Sequence, residues 1–282
     1  MEIGIVGLGL IGASMAQAVK RFTPHRVWGA ELARDVLQRA LEEQAVDGML
    51  DEQRLGDCDL LLLALYPQAA VDWITARADK LKKDACVVDL CGVKRYVCGA
   101  LEPLASKYSF FFVGGHPMAG REVSGYGAAS AELFLGASMI LTPGAETPRA
   151  RLAQLEAFFA SLGFSGVQYA SSDEHDRIIA YTSQLAHVLS SAYVKSPSAL
   201  SYRGFSAGSF RDMTRVAALN ETMWTELFLR NRDHLADEIE SLCARLAEYG
   251  QALRAENAEE LCCLLREGRE RKKQLSESAP PE

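Results

Sequence analysis

Short, nearly unbroken apolar runs alternate with amphipathic stretches through the first 170 residues of the chain. "EIGIVG" (2–7), "RVWGAE" (26–31), "LLLLAL" (60–65), "CVVDL" (86–90), "FFFVG" (110–114) and "SMILTP" (138–143) read as strands. "LIGASMAQAVKRF" (10–22) and "ARDVLQRALEEQ" (33–44) carry helical spacing after the first two, and helical stretches also separate the third, fourth and fifth. Strands that are apolar on both faces and alternate with helices predict a doubly wound, mainly parallel Rossmann-type α/β sheet with helices on both sides.

Beyond Tyr169 the pattern changes. "DEHDRIIAYTSQLAHVLSSAYV" (173–194) has a helical period with no strand signal, and 220–268 is rich in Leu, Ala, Glu and Arg without a proline. Between them "SYRGFSAGSFRDMTR" (201–215) reads as a punctuated loop running into a short helix, and "KKQLSESAPPE" as a polar tail. The expected organisation is a nucleotide-binding domain over 1–170, an all-helical domain over 171–270 and a disordered tail over 271–282.

Composition narrows the class. Hydrophobic residues make up 49% and charged residues 24%, as in an ordinary globular protein. A net charge of −7 argues against nucleic acid or an anionic membrane as the main partner. The longest apolar run, "LLLLALY", is far too short to span a bilayer, and with the first strand starting at the initiator methionine no signal peptide is expected. The seven cysteines are odd in number, and no pair has the two-residue spacing of a zinc or redox site. A reduced, cytoplasmic protein without a metal is expected.

Two stretches carry chemistry. "GIVGLGLIGAS" sets Gly7, Gly9 and Gly12 as G-x-G-x-x-G between a strand and a helix, with Leu8, Leu10 and Ile11 between and beside them. Gly7 permits the tight turn, Gly9 lets a pyrophosphate approach the backbone, and Gly12 allows helix and strand to pack closely. Glu31 ends the next strand, where a carboxylate accepts hydrogen bonds from both adenosine ribose hydroxyls and repels a 2′-phosphate. NAD is therefore favoured over NADP, despite Arg34 three residues on. The second stretch is "FFFVGGHPMAG": His116 follows a buried strand on a glycine-rich segment, at the sheet edge where such folds bind ligands. An imidazole placed there suits a general base.

"GLGLIGAS", "GGHPMAGREVSGYGAA" followed by "LFLGASMILTP", "HDRIIAYTSQLAHVLSSA" and "GSFRDMTRVAALNETMWTELFLRN" together resemble the prephenate/arogenate dehydrogenase family, in order from residue 3 to about 235. The resemblance implies an NAD(P)-dependent oxidative decarboxylation in tyrosine biosynthesis and a homodimer joined through the helical domains. It gives His116 the place of the family's catalytic base and Arg215 that of the arginine binding a substrate carboxylate. His187 and Ser183, four residues apart on one helix face, match positions facing the substrate side chain. Glu122 matches an acid at the pocket entrance that could pair with Arg215, and Arg211, Asp212 and Trp224 match positions near the dimer-shared side of the cleft. His175 and Asp176 start a helix and read as capping residues, outside the site.

The family pattern breaks in two places. "VVDLCGVK" puts Gly92 where the family usually carries a serine that bridges histidine and cofactor, and the Cys91 thiol, one residue displaced, is a poor substitute. Water or a neighbour such as Ser124 would then have to hold His116, or the rate is lowered. "SQLAH" replaces the family's first helix histidine by Gln184 but keeps His187. Prephenate is the expected substrate, with arogenate as the nearer alternative. A β-hydroxyacid dehydrogenase would need a catalytic helix lysine, for which Lys195 is the available residue, and a catalytically lapsed nucleotide-binding dimer is the non-enzymatic alternative.

Overall fold

All of the first apolar run after Glu2 is buried, as strand β1 (Glu2–Val6). With β2 (Arg26–Ala30), β3 (Gly48–Met49), β4 (Leu60–Leu63), β5 (Cys86–Asp89), β6 (Phe111–Pro117), β7 (Ser138–Pro143) and β8 (Gly166–Tyr169), it forms an eight-stranded sheet of order β3-β2-β1-β4-β5-β6-β7-β8. Pairing is parallel throughout except between β6 and β7. The structure is a computed structural model and describes residues 1–201, 204–205 and 207–278. The Rossmann-type fold read from the periodicity is present, with β3 and β8 added at its edges.

Both faces of the sheet are covered, and the strands divide their side chains between two cores. Leu60 and Leu62 face α1 (Leu10–Phe22) and α6 (Arg149–Ser161), whose Met15, Phe158 and Phe159 pack there. Leu61 and Leu63 face α4 (Pro67–Thr75) and α5 (Arg95–Tyr108) through Ala70, Ile74, Val97 and Leu101. Two-sided burial is why these strands are continuous apolar runs, each leucine contributing roughly 1.5–3 kcal/mol. α2 (Arg34–Glu42) packs into the first of these cores through Leu37 and Ala40, and α3 (Glu52–Asp57) into the second through Leu55.

After β8 the chain is helical, as expected: α7 (Ser172–Ile179), a π-helical turn Ala180–Gln184, α8 (Leu185–Tyr193), α9 (Gly208–Thr214) and α10 (Glu221–Arg230). These belong to the same compact unit as the sheet, which runs Met1–Arg232. Residue 170 thus marks a change of element type inside a unit. The physical reason is a set of buried and part-buried bonds: Asp176 on α7 accepts the Lys94 and Arg95 amides at 2.7 and 2.9 Å. Glu226 on α10 likewise accepts the Gln68 amide at 2.6 Å. The second unit, from Asp233 on, holds nearly all of α11 (Arg232–Arg254) together with α12 (Ala258–Ser278). The Tyr249 hydroxyl donates to the Leu264 carbonyl at 3.3 Å, tying its two helices together. Helix α12 continues to Ser278, through most of the stretch expected as a tail. The last four residues, with Tyr202, Arg203 and Ser206 of the expected loop, lie outside the described residues. Among the described residues no helix is long and apolar enough to cross a membrane.

Candidate active site

The glycine turn takes the shape its spacing predicts. Gly7 has φ +86°, in the left-handed region, and a Cβ there would meet the Ala64 carbonyl oxygen at 2.4 Å. A Cβ on Gly12 would lie 1.8 Å from the Gly7 oxygen, so α1 can leave the strand this closely only with glycine. Nothing stands within 4 Å of a Cβ built on Gly9, the N-cap of α1, which has no side-chain cap. The helix amides therefore face open space, the arrangement that receives a phosphate. Glu31 braces the turn: it accepts the Leu8 amide at 2.8 Å on one oxygen and the Leu32 and Ala33 amides at 2.7 and 3.1 Å on the other. Gly9, Leu10 and Ile11 line one wall of a cleft of about 590 Å³. These residues fit a dinucleotide.

His116 lines the same cleft. It is not on a loop, as its sequence setting suggested, but within β6, opposite Ile140 of β7. β5 pairs with β6 only as far as Gly114, while antiparallel β7 carries the ladder on to Pro117. The imidazole thus projects past the carboxyl end of β5 from a backbone held on one side. The preceding glycines are there for packing: a Cβ on Gly114 would come within 2.2 Å of Thr142 Oγ1, and one on Gly115 within 2.7 Å of the Asp89 carbonyl oxygen.

Behind this histidine lies a buried polar cluster that sequence reasoning missed. His116 Nδ1 is 2.9 Å from His175 Nε2, and His175 Nδ1 is 2.8 Å from Asp176 Oδ1. His175 and Asp176 are 1% and 0% exposed. The N-cap of α7 is Ser171, whose hydroxyl accepts the Glu174 amide at 3.1 Å, so the expected capping role is filled without them. A signal was available: they stand four residues before Ile179 and Ala180, on the face that α7 buries. Beneath them Lys94 Nζ bonds the Asp89 carboxylate and donates to the Gly115 carbonyl at 2.6 Å. Burial, then His175, then Lys94 push His116 well below the ordinary histidine value. Burial lowers His175 too, against the opposing pull of Asp176.

Among the described residues no buried side-chain nitrogen or oxygen lacks a partner. His116 Nε2 has no hydrogen-bond partner among them, so it is not one of the buried polar atoms and lies at the cleft surface. Ser124 lines the cleft but does not bond His116; the holding group is His175. Cys91 is turned away, its thiol donating to the Leu65 carbonyl at 3.3 Å. Gly92 faces Leu227, which stands 3.5 Å from the position of a Cβ, with His116 Cε1 at 4.0 Å.

The opposite wall brings together most of the expected substrate residues. Ser183, His187, Arg215 and Glu122 all line the cleft. Ser183 lies on the π-helical turn, which widens the helix where it meets the cleft. His187 packs against Trp224 with ring centroids 4.0 Å apart and planes tilted by 46°, and its Nδ1 lies 3.3 Å from the Val216 carbonyl oxygen. Burial, partly offset by that carbonyl, holds His187 below the ordinary value. The Arg215 guanidinium is ion-paired with Glu122. Contact with its own backbone and with Arg215 keeps the Glu122 carboxyl below the usual carboxylate range. Gln184 is buried at the cleft wall, where it accepts from Asn231 Nδ2 at 2.8 Å and joins the π-helical turn to the end of α10. Asp212 lines a smaller neighbouring cavity with Ser183, His187 and Arg215. Arg211 is not brought to the cleft; it is exposed on α9. Lys195, the lysine a β-hydroxyacid dehydrogenase would need, is exposed just past the end of α8.

The chain matches the family model for the prephenate dehydrogenase nucleotide-binding domain over residues 15–167 and that for its dimerization domain over 171–267. A cyclohexadienyl dehydrogenase of Zymomonas mobilis is 34% identical over 273 residues, covering 92% of this chain and 91% of its own. The arogenate dehydrogenase structure from Synechocystis superposes with TM-score 0.81 at 27% identity, covering 98% of this chain and all of its own. The prephenate dehydrogenase of Aquifex aeolicus, in a complex with hydroxyphenyl propionate and NAD+, superposes with TM-score 0.83 at 28% identity over 97% of each chain. With its nucleotide turn, its strand histidine and its helical wall in the positions described, and with two matching segments that take in most of its length, the chain belongs to the prephenate dehydrogenase family.

Proposed function

We propose that this dehydrogenase catalyses the NAD-dependent oxidative decarboxylation of prephenate to 4-hydroxyphenylpyruvate. The observation that carries the reading is a single cleft that combines the open glycine turn, an unpartnered imidazole nitrogen and a guanidinium on the opposite wall. Gly9, Leu10 and Ile11 with the first amides of α1 would hold the pyrophosphate, and Glu31 the ribose. Glu31 also disfavours a 2′-phosphate, which supports NAD over NADP. When bound, the nicotinamide supplies the acceptor for the hydrogen and electron pair leaving C4 of the substrate ring.

His116 Nε2 takes the proton of the C4 hydroxyl as C4 is oxidised. The ring carboxylate leaves as CO2, and its bonding pair completes the aromatic ring. His116 then returns the proton to the phenolic oxygen, so no net proton is consumed. Arg215 binds a substrate carboxylate, exchanging Glu122 for it, and a planar guanidinium does this through two parallel bonds. His187, held by Trp224 and the Val216 carbonyl, and Ser183 flank the side-chain end. A neutral His116 suits the role, since protonation would remove the acceptor.

Arogenate is the second reading. Asp212 and Glu122 are carboxylates beside Arg215, His187 and Ser183, and either could receive the ammonium that arogenate carries. NADH formation measured with prephenate and with arogenate in parallel tests both. Turnover of neither, alongside tight NAD binding, would leave only the lapsed nucleotide-binding protein. Leu246 and Leu253 on α11 and Leu265 and Leu275 on α12 are each more than half exposed, which supports a homodimer formed through these helices. All seven cysteines are free, which supports a reducing, cytoplasmic setting.

A further inference from the structure

We propose that His175 and Asp176 are positioning residues that fix the tautomer of His116, presenting its Nε2 to the cleft as a bare acceptor. This rests on the reading of His116 as the group that takes the substrate proton. Asp176 Oδ1 faces the Lys94 amide at 2.7 Å, and Oδ2 faces the Arg95 amide at 2.9 Å. Backbone N–H groups cannot turn into acceptors, so both oxygens of Asp176 accept. His175 Nδ1, 2.8 Å from Oδ1, therefore carries the ring proton. In a neutral imidazole the other nitrogen is then an acceptor, and His175 Nε2 points at His116 Nδ1 from 2.9 Å. His116 Nδ1 must donate, and its Nε2 is left without a hydrogen. Two amides that cannot reverse thus orient three side chains in one direction.

The surroundings favour the neutral form of both rings. The charged groups packed around them are Lys94 and Asp89, paired beneath β6, and Asp176 on α7 with Arg95 and Asp173 beside it. Lys94 discourages a second positive charge on either imidazole, and burial works the same way. Across the cleft stand His187 and Arg215, a further cation. Among the described residues no other side chain hydrogen-bonds the His116 ring. A hydroxyl on the Gly92 side is absent, and Leu227 occupies the neighbouring space.

The first test needs no substitution and no substrate. The chain has five histidines, and long-range proton–nitrogen correlation spectra of protein labelled with 15N-histidine report each tautomer. His116 is expected with its proton on Nδ1 and a bare Nε2; a proton on Nε2 overturns the proposal. His175→Leu, which removes the acceptor, should lower kcat by roughly 10²–10⁴-fold with little change in NAD affinity. His175→Gln, whose carboxamide oxygen can accept from Nδ1, should recover most of that loss. Asp176→Asn can offer an N–H to His175 and reverse the relay, moving His116 towards the Nε2–H form and shifting the acid limb of the kcat/KM profile. Equal rates for the leucine and glutamine variants, or an unaltered His116 tautomer in either the leucine or the asparagine variant, would also overturn it. If prephenate and arogenate both fail as substrates while the tautomer is as stated, the functional reading falls and the positioning stands. If one is turned over by a protein whose His116 carries Nε2–H, the positioning alone falls.

Discussion

The two walls of the cleft hold charge in opposite ways. Behind His116, Lys94, Asp89 and Asp176 are fully buried and His175 almost so, with every buried polar side-chain atom bonded. On the facing wall, Glu122 and Arg215 form an ion pair whose side chains are 54% and 65% exposed. The buried pair cannot relax: removing either partner strands a charge that has no solvent to receive it. The exposed pair is screened by water and can trade partners at little cost. On the proposed function, one wall keeps the base in a fixed orientation and the other releases a guanidinium to an arriving carboxylate.

The strongest way to break this contrast is at Asp89. Asp89→Ala leaves Lys94 buried without a counter-charge and should cost about 3–5 kcal/mol of stability, read as a lowered denaturant midpoint. Burial alone would push Lys94 down, but Asp89 outweighs it and holds the ammonium above its usual range. A midpoint within error of the parent would mean the wall is less rigid than described. Next is His116→Asn, expected to lower kcat by roughly 10²–10⁴-fold while the midpoint and NAD affinity stay put. Survival of turnover would remove His116 from the chemistry.

Arg215→Ala should leave the midpoint unchanged and raise KM, by about 10–100-fold, as expected for a lost charge-assisted contact. An unchanged KM would return that residue to the surface. The pH response sharpens the contrast further. His116 and His175 sit below the ordinary value of 6.5 in the folded protein, so below that value the unfolded chain binds protons the folded one refuses. Stability should therefore rise with pH through the window beneath 6.5 and level off above it; a flat profile there contradicts the stated burial. The smallest effect is on cofactor choice. Glu31→Gln should narrow the preference for NAD over NADP by about tenfold, measured as the ratio of kcat/KM values.

Legibility followed the kind of force involved. Strands β1, β4, β5 and β6 could be read because two-sided burial demands apolar runs. β3, with two residues, and β8, with mixed burial, lie at the sheet edges, where that demand is weak. The glycine turn was readable since only glycine tolerates the conformation and the close contacts at Gly7 and Gly12. His116, Arg215, His187, Ser183 and Glu122 were singled out by their resemblance to a known pattern, and the cleft gathers all five. Arg211 was singled out in the same way and stays on the surface of α9.

By itself the sequence determined the layered sheet and the nucleotide turn, because periodicity and glycine stereochemistry are local properties of the chain. Tertiary structure decided how the histidine is held. β7 extends the ladder past β5 to keep His116 in a strand, and α7 carries His175 and Asp176 to residues about 60 and 80 positions away in the chain. A hydrogen bond across such separations is set by the packing of a helix on a sheet edge. No local pattern in either segment encodes it.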